Sequence, residues 1–125
     1  MFTVTGEARF SNSIVAGNTG FNGGTGLAFG NDFGSDNALS PNVVSAGFNV
    51  FGIIDPSEGT FPTQPSDQSG TPALPLDPVL QAALTDNGGF TLTHGPLLGS
   101  PALENGNPGP VTGAPNCEPN DQRLY

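Results

Sequence analysis

Nineteen glycines and thirteen prolines fall within 125 residues, so about a quarter of the chain sits near the level at which low-complexity compositions begin. Proline fixes φ and removes a backbone donor, while glycine weakens the interior of any helix or strand. Long regular elements are therefore excluded. Nine phenylalanines, with scattered Val, Ile and Leu, argue against a disordered chain, because disorder goes with few aromatic and β-branched residues. Both requirements are met by an all-β, loop-rich structure of short strands and tight turns. The length suits one small domain.

Charge narrows the partners. Only 10% of residues are charged, and the two cations, Arg9 and Arg123, face eleven carboxylates, for a net charge of -9. Such a surface has nothing to replace phosphate counterions and repels anionic lipid, so nucleic acid is excluded as a partner. No apolar run reaches the roughly 18 residues of a membrane span, which argues against membrane insertion. Met1-Phe2-Thr3-Val4 has neither the basic patch nor the apolar core of an export signal; export would need a signal in a longer parent chain. Cys117 has no second cysteine and no basic neighbour to activate it. It reads as an inert thiol.

Along the chain, Ala8 to Ala16 alternates, placing Phe10, Asn12 and Ile14 on one buried strand face. An inward Asn12 would have to satisfy its amide, for instance on the backbone of a neighbouring turn. Residues 17–42 are Gly-rich and read as an irregular excursion or Ω-like insertion. Val43 to Ile54 repeats the grammar of the first strand, with Asn49 the counterpart of Asn12 at a spacing of 37 residues. Two copies of Asn, apolar residues and Gly point to successive coils of a solenoid. Residues 55–75 read as loop. Asp77 as N-cap, Pro78 at the first helical position and Leu80, Ala83 and Leu84 on one face predict a two-turn helix. Asp86-Asn87-Gly88-Gly89 then stops it and reverses the chain before a strand at Phe90 to His94.

The ordered motifs Asn12-Ser13-Ile14-Val15-Ala16-Gly17, Gly47-Phe48-Asn49-Val50-Phe51-Gly52, Leu76-Asp77-Pro78-Val79-Leu80, Asp86-Asn87-Gly88-Gly89, Gly99-Ser100-Pro101-Ala102-Leu103 and Asp121-Gln122-Arg123 closely resemble the terminal region of bacterial choice-of-anchor Q proteins. These are large exported polypeptides, similar to polymorphic outer-membrane proteins and to pectate-lyase-like folds. The likeness covers nearly the whole chain. It implies a right-handed parallel β-helix: terminal coils with a Gly-rich insertion over 1–54, a C-terminal cap containing the short helix over 55–103, and an extended tail over 104–125. It also implies an extracellular or outer-surface location, as the end of a longer chain.

Three functions are compatible with that architecture. The first is a non-catalytic structural or adhesive module, whose partner would be a glycan or a cell-surface protein. The second is a fragment of a carbohydrate-active, pectate-lyase-like enzyme whose active site lies upstream. The third is a self-assembling unit that stacks on further copies. His94-Gly95 invites comparison with β-helix glycosidases, but no paired aspartates accompany it. A lyase would need a cationic base, and Lys is absent. The chain is therefore read as having no catalytic site and no required cofactor. Calcium is the remaining candidate, because carboxylates among Asn and backbone carbonyls suit a hard cation. Asp32 with Asp36, Asp55 with Glu58, and Asp86 with Asn87 are the candidate ligands, though none fits an EF-hand or a Gly-Gly-x-Gly-x-Asp repeat. Asn12, Asn49, Asp77, Pro78, Asn87, Gly88 and Gly89 are expected to be structural.

Overall fold

A computed structural model describes residues 8–21, 28–29, 32, 43–56 and 63–109. They form seven short strands: β1 (Ala8–Phe10), β2 (Ile14–Val15), β3 (Gly20–Phe21), β4 (Ala28–Phe29), β5 (Val43–Ser45), β6 (Val50–Phe51) and β7 (Gln68–Ser69). No α-helix occurs among the described residues. The chain is all-β there, as its density of glycine and proline requires.

Most of the pairing is parallel. β1 pairs with β5, and β2, β6 and β7 lie side by side in that order. Parallel neighbours need long connections. Here each connection returns the chain to the same edge, so β2, β6 and β7 form three stacked layers. Ser13 lies 36 residues before its neighbour Asn49, and Asn49 lies 18 before Asp67. The longer step contains an antiparallel pair, β3 with β4, in the segment expected to be irregular.

The stretch expected to be one continuous strand is two. Between β1 and β2 the chain bends at Asn12, which adopts φ 49°. The matching bend between β5 and β6 uses Gly47 at φ 94° and Phe48 at φ 60°, one residue more. The bend shifts the side-chain alternation. Asn12 is exposed and Ile14 is 39% exposed, whereas the expected face would have buried both. It also sets the true spacing: Val50 pairs with Ile14, so Asn49 stacks on Ser13 and not on Asn12.

Two further expectations are corrected. Residues 55–75, read as loop, contribute β7 to the stack. The two-turn helix after Asp77-Pro78 does not form. Asp77 Oδ1 does accept the Val79 amide at 2.8 Å, as an N-cap would. Val79 then turns to φ 49°, and the chain runs antiparallel to residues 93–97. Gln81 N donates to Gly95 O, Leu97 N to Val79 O, and Thr85 and Thr93 exchange two backbone bonds. Two turns of isolated helix are marginal, and pairing to a partner strand satisfies the same backbone groups. The expected apolar face stays unburied, with Leu84 56% exposed.

The interior is small and polar. Val50 and Phe51 are the buried hydrophobic residues among those described, and Ser45, Asn49, Ser100 and Asn107 are buried with them. Burial of a Phe side chain such as Phe51 contributes about 1.5–3 kcal/mol. The rest must come from hydrogen bonds between layers. Layer contact is also tight: a Cβ on Gly70 would collide with the backbone at Leu76 N and Gly52 O. Gly70→Ala is expected to destabilise the fold by about 2 kcal/mol or more, measured by chemical denaturation. Gly109, where an added methyl would meet nothing within 4 Å, provides the control, with Gly109→Ala expected to change stability by less than about 0.5 kcal/mol.

Candidate functional site

The densest side-chain chemistry lies at the bend that precedes β6. Parallel stacking leaves the amides of each bend facing the layer beside it, and a short polar side chain one residue before the strand is placed to reach them. Asn49, 1% exposed, occupies that position. Its Oδ1 accepts the Ser13 amide at 3.1 Å. Its Nδ2 donates to Ser45 Oγ at 2.9 Å, to Asp67 Oδ1 at 3.0 Å and to Phe10 O at 3.3 Å. Two amide protons serve three acceptors, so at least one bond is shared.

Asp67 occupies the same position before β7. Its Oδ1 accepts both the Asn49 amide and Asn49 Nδ2, at 3.0 Å each. Its Oδ2 accepts Ser45 Oγ at 2.6 Å and Gln64 N at 2.7 Å. These charge-assisted bonds are the stronger kind, and together they use the acceptor capacity of the carboxylate. Ser13, Asn49 and Asp67 thus form a polar column through three layers. In the first layer, Ser11 Oγ is buried without a hydrogen-bond partner.

The other expected structural residues lie elsewhere. Asn12 Oδ1 accepts the Asn107 amide at 2.9 Å, closing residues 100–109 against the first layer across 95 positions. Asn87 lies inside the antiparallel pair, donating to Gln81 Oε1 at 2.7 Å and to Thr93 Oγ1 at 3.0 Å. Gly88 and Gly89 take φ 87° and 91° at the reversal, and Asp86 Oδ1 accepts the Gly88 amide. Pro78 contributes its carbonyl, which accepts Ser100 Oγ at 2.5 Å. His94 donates from Nδ1 to Gln81 O at 2.7 Å, a backbone contact with no carboxylate involved.

Of the calcium candidates, the pairs Asp32 with Asp36 and Asp55 with Glu58 each have one member outside the described residues. Asp32 Oδ1 accepts the Asn18 amide at 2.6 Å, just after β2. Asp86 serves its own turn, and Asp36 and Glu58 lie outside the described residues. Among the described residues no group of three or more His, Cys, Asp or Glu side chains could hold a metal ion. Nothing in the sequence marks the bonds that Asp67, Ser45 and Gln81 make. The signal for Asp67 is its step of 18 residues from Asn49, hidden because β7 carries no apolar residue.

Comparison with family models, curated proteins and solved structures finds no match for this chain. Among the described residues no helix is long and apolar enough to cross a membrane.

Asn49→Ala is expected to cost about 3 kcal/mol, since it leaves the Ser13 amide without its acceptor, removes one bond each from Asp67, Ser45 and Phe10 O, and opens a buried space. A double-mutant cycle with Asp67→Ala, read by urea denaturation, should give a coupling of about 1–3 kcal/mol. Additive effects would show that the column is not a unit. Ser11→Ala should stabilise by about 1 kcal/mol, because it removes a buried hydroxyl that has no partner.

Proposed function

We propose that this chain is a non-catalytic structural unit at the end of a right-handed parallel β-helix, in an exported bacterial surface protein with an adhesive role. The observation that supports this reading is the in-register parallel stack of β2, β6 and β7, held by the column through Asn49 and Asp67. Parallel strands joined by crossovers take the right-handed path in nearly all proteins, which gives the coil its hand. Residues 97–109 cover one side of the stack, with Gln68 Nε2 donating to Pro101 O and Asn107 bound to Asn12.

The chemistry of the column favours a structural role over a catalytic one. Asp67 directs its lone pairs at backbone amides, a hydroxyl and a carboxamide, while Asn49 accepts the Ser13 amide on Oδ1 and donates Nδ2 to Ser45, Asp67 and Phe10. Groups so occupied hold the main chain and are not available to activate water or a substrate. The sparse cations and surface rich in Asn, Ser, Thr and Gly fit an extracellular setting.

Amide hydrogen exchange on the full chain tests the architecture. Val50, Gly52, Gln68 and Gly70, whose amides bond across layers, should be the slowest to exchange. Faster exchange there than at Thr85 and Thr93 would remove the stack as the stable unit. For the non-catalytic reading, incubation with pectin and other plant polysaccharides should release no new reducing ends or unsaturated products. Release above background would return the carbohydrate-active alternative.

A further inference from the structure

Four non-glycine residues among those described adopt left-handed backbone conformations: Asn12 at φ 49°, Phe48 at 60°, Val79 at 49° and Glu104 at 61°. Three of them, Asn12, Phe48 and Glu104, line a single open groove of about 750 Å³, a volume within the range of small-molecule sites. The groove runs between the bends of the first two layers and residues 102–109. Phe48 and Glu104 also line a second hollow of about 420 Å³ on the other side of the same segment. Asn tolerates the left-handed region, but a bulky aromatic there is an outlier. Such conformations persist where the surrounding structure enforces them, and they gather at ligand clamps. Core burial does not account for Phe48, which is only half-buried. Gly47, at φ 94°, already turns the chain beside it, and the Phe48 amide donates to Ser66 Oγ at 3.2 Å.

The lining restricts the occupant. Phe48 and Ile14 offer apolar surface, and Asn12, Asn105 and Asn107 carry carboxamides. Among the described residues that line the groove, Glu104 is the one charged side chain and none is a cation. On a chain of net charge -9, that arrangement repels phosphates, sulfated glycans and uronates. It also lacks the wide apolar area that a lipid or hydrophobic helix would need. A neutral sugar matches it: the C–H face of a pyranose lies on a flat ring, and its hydroxyls both donate and accept. Asn105 uses Nδ2 on Pro101 O and Leu103 O, and these bonds fix its carboxamide beside exposed Glu104.

We propose that this groove binds a neutral oligosaccharide, with Phe48 as the stacking platform and Glu104 and Asn105 as hydroxyl partners. The inference goes beyond the structural reading and does not depend on how the coils continue. It predicts an unusual separation of stability from binding. Phe48→Gly relieves the backbone strain while deleting the platform, so its melting temperature should equal or exceed that of the parent, with affinity at least tenfold lower.

The test is affinity electrophoresis of the full chain in gels containing hydroxyethylcellulose, galactomannan, xyloglucan or polygalacturonate. Retardation by at least one of the three neutral polymers, and none by polygalacturonate, is the expected result. Phe48→Leu keeps an apolar side chain without a flat face, and it should lose retardation while remaining folded by circular dichroism. Three results would overturn the proposal: no retardation by any neutral polymer, retardation by polygalacturonate alone, or undiminished binding by a folded Phe48→Leu or Phe48→Gly variant.

Discussion

Every parallel layer in this protein has to hand its bend over to the next, and the hydrogen bonds that do so run through Asn49 and Asp67. A bend between two short strands leaves amides that neither strand can satisfy, and an unpaired buried amide is costly. The chain solves this by placing a short polar side chain one residue before β6 and before β7. Asn49 accepts from Ser13 above it and donates to Asp67 below, and Asp67 accepts Asn49 through both backbone and side chain. Ser45 joins the two through its hydroxyl. Without that column, β6 would have its backbone ladder bonds and two hydrophobic residues to hold it between its neighbours.

This dependence explains the character of the interior. Among the described residues, buried polar side chains outnumber buried hydrophobic ones. Such a core is stable only when its polar members are satisfied, and the bonding around Asn49 meets that demand. The cost of failure is correspondingly high, since each lost group strands several others. Large apolar side chains lie outside instead: Phe90 and Leu98 are more than 90% exposed. The antiparallel pair after Pro78 follows the same rule, with Gln81, Asn87 and Thr93 bonding between its two arms.

The groove proposed to bind sugar lies beside the column. The bend that places Asn49 inward also forces Phe48 into a left-handed conformation at the surface, next to the segment that Asn12 holds through Asn107. Structure and recognition therefore share one stretch of chain. Gly47 and Phe48 supply the extra residue of the second bend, and that residue puts an aromatic ring beside the groove.

Composition alone determined that the chain is all-β with short elements, because glycine and proline at this density forbid anything longer. Its charge also set the expectation that nucleic acid is not a partner. Asn49 was legible as a buried structural amide, and Gly88 and Gly89 as a reversal. Register was not legible. A spacing of 37 between Asn12 and Asn49 and a pairing of 36 differ by one residue, and that residue decides which side chains face inward. β7 was invisible because Gln68 and Ser69 carry no apolar signal; the amide of Gln68 is bonded to Pro101, 33 residues away. The helix after Pro78 failed for the same reason. Its capping signal is local and holds at Asp77, but residues 93–97 compete for the same backbone groups. Local sequence records what a segment prefers by itself, and only the tertiary structure decides which distant amides it must satisfy.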